Sequence, residues 1–247
     1  MKRNLLVIGL LLAMSLGATA QNQGFAFGFK LGPNFGWTGS TTGAAVSEGS
    51  RTGFDVGVVA EYYFADNYAI VTGVNVGFLG GHYSYENGRL DTVSVTGLTT
   101  FNVDRMYKST IYEIPLMLKM VTNELGNLPL RVYAEVGGGI GLAAKKVKVK
   151  DAIDGAPFAD NWTTTNKEFS NLRASLKIGA GAQYSLDEST RLFAGLYFSH
   201  DFINMVNYIR PDYCGNYIDS EGNRIQARDK KLNVLQNRIG IEVGVLF

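Results

Sequence analysis

The chain has 247 residues, a formal net charge of +1, 30 glycines, 5 prolines, a single cysteine and 12% aromatic residues. A balanced charge gives no sign of a nucleic-acid-binding surface. The lone Cys214 cannot form an internal disulfide, and glycine and aromatics at this level, with mean hydropathy +0.01, favour strands and turns in one all-β domain.

The chain opens MKRNLLVIGLLLAMSLGATA, with Lys2 and Arg3, an apolar run from Leu5 to Leu16, and the small-residue ending Ala18-Thr19-Ala20. This pattern predicts a secretory signal peptide over residues 1–20, cleaved after about Ala20. The run is too short for a spanning helix, which needs roughly 20 apolar residues, and no cysteine follows it for lipid attachment. Residues 21–247 are then expected to form one exported domain.

From Phe25 onward, apolar residues recur at every second position, the period of a strand. FAFGFKLGPNFGW sets Phe25, Phe29, Leu31 and Trp37 against a face that carries Lys30. GFDVGVVAEYYF opposes Phe54, Val56 and Val58 to Asp55 and Glu61, and YAIVTGVNVGF opposes Ile70, Val74 and Phe78 to Asn75 and glycines. IYEIPLMLKM places Glu113 and Lys119 together, and LRVYAEVGGGIGL places Arg131 and Glu135 beside three glycines. LRASLKIGAGAQYSL carries Arg173 and Lys177, and RLFAGLYF repeats the design. The last run, NRIGIEVGVLF, alternates Ile239, Ile241, Val243, Val245 and Phe247 with Arg238, Gly240, Glu242 and Gly244.

Eight such runs make eight strands. The connections after the second, fourth and sixth are short: Ala65-Asp66-Asn67, the stretch from Asn123 to Pro129, and Asp187 to Thr190. Those after the first, third, fifth and seventh are long and polar, including Ser84 to Lys108 and Asn207 to Leu232. Short turns on one side and long loops on the other are the pattern of an outer-membrane barrel. The fold expected is a closed antiparallel eight-stranded transmembrane up-and-down β-barrel. Its apolar face meets lipid, and closure leaves no backbone edge unpaired in hydrocarbon. A soluble lipocalin-like barrel would need the opposite polarity, with the apolar rows inside.

YEIPLMLK (Tyr112 to Lys119), VYAEVGGGIG, KIGAGAQYSL and the terminal Phe247 resemble the small outer-membrane β-barrels of Bacteroidetes, the PorT-like or porin-family barrels. These are similar in architecture to the OmpA and OmpX barrels. The resemblance implies the outer membrane as location, and one member of that family belongs to a protein-secretion apparatus. It implies little about activity. The ending Ile241, Val243, Val245 and Phe247 also resembles the signal read by the outer-membrane assembly machinery, although a last strand that ends in Phe would look the same.

Catalytic and ligand-binding signals are poor. His82 and His200 are the only histidines, so a multi-histidine metal site is excluded. Ser199-His200-Asp201 resembles a triad in composition, but neighbours on a strand point to opposite faces; a polar exit into a loop is the expected reading. VGGGIG lies within a strand with no helix after it, so it is not a phosphate loop; its glycines are expected to thin the inner wall of a narrow barrel or to allow a bend. Lys145 to Lys150 form a basic alternating run. It fits either contact with lipopolysaccharide phosphates or a solvated strand extension.

An eight-stranded barrel is about wide enough to be filled by side chains. The inward charges expected are Lys30, Asp55, Glu61, Glu113, Lys119, Arg131, Glu135, Arg173, Lys177, Arg238 and Glu242, of mixed sign and therefore suited to pairing. Because closure sets the last strand beside the first, Glu242 is the expected partner of Lys30. Two functions remain open. One is a structural or interaction protein whose loops meet partners, surface ligands or a secretion complex; the other is a transporter of small solutes. No enzyme activity, cofactor, metal or nucleic-acid partner is expected. The partners expected are outer-membrane lipid and lipopolysaccharide, the assembly machinery and proteins bound through the loops.

Overall fold

The computed structural model describes residues 24–40, 45–90, 98–144, 146–165, 168–206, 216–218, 224–226 and 232–247. The expected signal peptide, Lys145 and Cys214 lie outside the described residues. Eight long strands make the body: β1 (Phe25–Gly39), β2 (Arg51–Ala65), β3 (Tyr68–Leu90), β4 (Leu98–Val121), β5 (Leu130–Ala143), β6 (Leu172–Ser185), β7 (Arg191–Asp201) and β8 (Leu235–Leu246). Each pairs antiparallel with the next. β8 returns to β1, with Leu31 opposite Val243 and Phe35 opposite Ile239, and so closes the ring.

The two strand prolines sit where a ladder is interrupted. The β1–β8 register passes from Leu31↔Val243 to Asn34↔Gly240, skipping Gly32 and Pro33. The β3–β4 register passes from Thr72↔Leu116 to Asn75↔Glu113, skipping Pro115. A residue without an N–H cannot complete a ladder, so each proline costs pairing on one side only. At the short-turn end, the Ser189 and Thr190 amides and the Ser189 hydroxyl donate to Asp187 Oδ1. These donors hold the Asp187 carboxyl below its ordinary range.

Parity decides which way each side chain points. Phe29, Leu31, Phe54, Val56, Ile114, Leu116, Leu196, Ile241 and Val243 are exposed on the outside. Glu61, Glu113, Lys119, Arg173, Lys177, Arg238 and Glu242 are buried inside. This is a soluble protein turned inside out. Phe54 and Phe64, both exposed, stand at the two ends of this belt on β2. Ten residues at about 3.3 Å and a tilt near 40° give about 25 Å, the height of the apolar band of such barrels. Aromatic pairs mark its rims: Phe25–Tyr62 at 4.7 Å and Phe64–Tyr68 at 6.2 Å on one side, Trp37–Phe198 at 6.0 Å on the other.

Between β3 and β4 the structure differs from the expected long loop. β3 continues to Leu90 and β4 begins at Leu98, so most of Ser84 to Lys108 is paired strand rather than loop. Above the apolar belt the polarity of these strands reverses. Tyr83, Tyr85, Val103 and Tyr107 are buried inside, while Lys108 points out and is exposed. The reason is the solvent: once the outside is water, the ordinary rule of apolar in and polar out returns. A strand at Val147–Ile153 pairs with Val103–Lys108 of β4, Thr163–Thr165 pairs with that strand in turn, and Ala45–Ser47 pairs with Tyr83–Tyr85 of β3. They raise the wall on the β3–β4 side above the membrane.

The outward row is expected to be intolerant of charge. Leu31, paired with Val243, lies midway between Phe25 and Trp37 on β1, so Val243→Lys puts an ammonium near the midplane. It should cost on the order of 2–4 kcal/mol, read as a lower urea midpoint for unfolding from lipid vesicles. An unchanged midpoint would mean that this face does not meet hydrocarbon.

Candidate functional site

The lumen is the site with chemistry, and it is layered. At the short-turn end Ala26, Val59, Val71, Met117, Val121, Tyr133, Phe193 and Leu246 form an apolar floor. At the opposite end Tyr83, Tyr85, Val103, Tyr107, Val147, Val149, Phe169, Met205, Leu232 and Val234 belong to one apolar lid. Most of the buried charges lie between; Glu61 and Lys119 are set within the floor, and Arg105, paired with Asp151 and Glu168, is set within the lid.

Within the floor, between Met117 and Val121 on β4, Lys119 Nζ is 2.5 Å from Glu61 Oε1. Its ammonium stands 4.1 Å from the centroid of the Tyr133 ring, and the Tyr63 hydroxyl donates to Glu61 Oε2 at 2.7 Å. Arg191 in turn donates to the Tyr63 oxygen at 3.0 Å, which links the network to the mouth. In the middle, Glu242 Oε2 lies 3.2 Å from both Lys30 Nζ and Lys177 Nζ, and Lys177 is 3.8 Å from Glu135. Lys177 also stacks over Tyr197 at 4.2 Å. Higher up, Arg238 pairs closely with Glu113 and lies 3.8 Å from Asp55. Asp55 accepts from Asn34 Nδ2 at 2.8 Å and from the Tyr197 hydroxyl. Arg173 and Asp201 close the sequence beneath the lid at 2.9 Å.

Glycines on the inner face make room for these groups. A Cβ at Gly240 would stand 2.5 Å from the Tyr197 ring, at Gly179 3.0 Å from Glu135, and at Gly139 2.8 Å from the Glu113 carboxyl carbon. The VGGGIG segment therefore thins the wall opposite a large side chain, as its place in a strand suggests. Among the described residues, the middle of the charged layer leaves a cavity of about 20 Å³ bordered by Lys30, Asp55, Glu113, Lys177, Tyr197 and Glu242, room for about one water.

Ten of the eleven charges expected to face the lumen enter these pairs. Arg131 does not. Its parity is inward, but it is the second residue of β5 and stands at the mouth, 3.7 Å from Glu124 of the adjoining turn, both partly exposed. Asp201, expected from the sequence at a polar strand exit, is instead a buried lumen charge; it shares the parity of Phe193 and Tyr197, so extending the seventh strand by three residues finds it. Ser199 and Asp201 are buried, whereas His200 is partly exposed beside Asn237. The trio does not converge. The residues of the expected assembly signal take their places in β8 and just after it, with Ile241, Val243 and Phe247 exposed on the outside.

A buried charge whose partner is removed costs far more than a complete pair gains. Glu242→Ala leaves both Lys30 and Lys177 short of a carboxylate, and it should destabilise the barrel by about 3–5 kcal/mol. Adding Lys30→Met to Glu242→Ala should recover part of that loss. Urea unfolding of the single and double variants measures both; additive losses would mean that the pair is not coupled.

Fold comparison places the chain beside several solved outer-membrane proteins. The Neisserial surface protein A is 16% identical, with 91% of this chain and 96% of that chain covered and a TM-score of 0.36. The outer membrane protein OprG from Pseudomonas aeruginosa is 12% identical, with 92% and 98% covered and a TM-score of 0.38. A major outer membrane protein from Thermus thermophilus is 17% identical, with 88% and 99% covered and a TM-score of 0.37. Comparison with curated proteins gives no sequence match. A family model described as the outer membrane protein beta-barrel domain matches residues 19–207, a span that contains β1 to β7. The closed eight-stranded ring, its outward apolar belt and this match over most of the chain agree: the protein belongs to the outer membrane β-barrel domain family.

Proposed function

We propose that this outer-membrane barrel is a closed scaffold, anchoring extracellular structure in the membrane without passing a steady flow of solute. The observation that carries the reading is the filled lumen: paired charges of both signs packed with an apolar cluster at each end. A selective pore lines itself with one sign of charge or with backbone carbonyls around a continuous path. Here the mixed charges neutralise one another, and opening a path would separate several buried pairs at once.

On this reading the working surface is extracellular: the raised β3–β4 wall and the loops around it. No catalytic function is included, since the inward serine and carboxylate have no histidine beside them. Proteins held by those loops, up to a secretion complex of the PorT-like kind, are the partners it favours. Residues 1–20 are removed on export, and Phe247 with its alternating neighbours is read by the assembly machinery.

The test is electrical. Purified protein in a planar bilayer should give no stable conductance, and Glu242→Ala should add only brief flickering. Large, steady single-channel currents from the unmodified chain would replace this reading with solute transport. Crosslinking in intact membranes identifies the partners of the wall.

A further inference from the structure

Outside the lumen, one cluster of cations has no counter-charge among the described residues. Pairing of β2 to β3 reaches up only to Phe54↔Phe78. Above that point the strands separate and leave a lateral cleft of about 700 Å³, bordered by Arg51, Lys108, Lys146 and Lys148, with Phe54 and Phe78 along its apolar edge. The indole of Trp162 gathers three cations: Lys108 at 4.6 Å, Lys150 at 5.4 Å and Arg51 at 5.9 Å from its ring centroid. Lys108 and Lys148 are direct cross-strand partners, and both are exposed. Lys146, Lys148 and Lys150 share one parity along the same edge.

Like charges set opposite each other destabilise a strand pair. The chain as a whole carries a net charge of only +1, so five cations on one small surface are a local concentration. None of the five forms an ion pair among the described residues. Lys150 donates instead to the Asp160 carbonyl at 2.6 Å, and Arg51 reaches the Met106 sulfur at 2.6 Å. An anion placed among the five would relieve the repulsion between Lys108 and Lys148.

Height selects the anion. Phe54 and Phe78 belong to the exposed apolar belt, and the cations begin one step above it, where Gly80 faces Lys108. That is headgroup level in the outward leaflet. We propose that this cleft binds a phosphate of the anionic glycolipid of the outer leaflet, with the cations around the phosphate and Phe54 and Phe78 against its acyl chains. The volume suits a phosphorylated sugar. The proposal rests on the outward face and the outer-membrane location, not on the closed lumen, so it stands or falls separately from the conductance test.

The full chain in dodecyl maltoside, with Trp37→Phe leaving Trp162 as its one indole, reports occupancy through Trp162 emission. The probes are diphosphoryl lipid A, the same lipid without phosphates, and inorganic phosphate. Diphosphoryl lipid A should give a saturable change, and Lys108→Gln with Lys148→Gln should weaken binding by tenfold or more, since each headgroup-level cation contributes about fivefold. Lys146→Gln, outside any strand, should weaken it severalfold without touching the fold. The double variant should remain as stable as the parent in neutral micelles, because a repulsion is relieved. Three results would each overturn the proposal: unchanged affinity in the double variant, equal binding of the dephosphorylated lipid, or inorganic phosphate saturating at the same concentration as lipid A. The last would assign the cleft to a soluble phosphate ester.

Discussion

Two backbone hydrogen bonds join Phe27 and Phe247, from Phe27 N–H to Phe247 O at 3.1 Å and from Phe247 N–H to Phe27 O at 2.7 Å. They belong to the seam on which the rest of the molecule depends. Hydrocarbon offers no partner for an open strand edge, and each unpaired group there costs several kcal/mol. The sheet must therefore return to its first strand. Closure with eight strands then sets the width of the interior, and that width decides what can stand inside it. A ring this narrow has no room for a bulk-water column, so any charge that points inward is withdrawn from water and must find a counter-charge from another wall.

The interior meets that demand with a division of labour between strands. Long charged or aromatic side chains project from one wall, and glycine faces them on the next. Tyr197 opposite Gly240 and Glu135 opposite Gly179 are two cases. Aromatic rings complete the solvation that water no longer supplies, as where Lys119 lies over Tyr133 and Lys177 over Tyr197. Replacing such a network by apolar residues of equal volume is often neutral or stabilising. Because a one-residue slip would turn every inward polar residue toward lipid, the network also fixes the register of each strand.

Most of the barrel is legible in the chain because side-chain direction in a strand depends on parity alone. Eight rows of alternation place the apolar belt outside. The neighbourhood of the first and last strands follows from closure, and with it the meeting of Lys30 and Glu242. Parity does not reveal height along the axis, and the misplaced residues fail for that reason. Arg131 has the right parity but stands at the mouth, where Glu124 and water are its surroundings. Asp201 belongs to the lumen because β7 runs beyond Phe198, a point where no turn residue marks an end. Trp162 gives no signal at all, since what makes it notable is the convergence of three cations from separate segments.

The reversal of polarity in β3 and β4 carries the broadest lesson. Leu79, Tyr83 and Tyr85 on one strand and Val103 and Tyr107 on the other continue the inward parity of Asn75 and Glu113. Apart from Ser109 and Arg105, the residue types change from polar to apolar on the same face. A reading that looks for apolar residues outside sees the pattern break and takes the segment for a loop. In physical terms the alternation never stops; the medium outside changes from lipid to water. The place where the two codes meet, near Phe78 and Lys108, is therefore a membrane boundary written into the strands themselves. It is found without appeal to the aromatic rims, and the cationic cleft opens at that same level. A cation there has lipid headgroups rather than hydrocarbon or bulk water as its nearest surroundings, which makes the outer leaflet itself the ligand that the position selects.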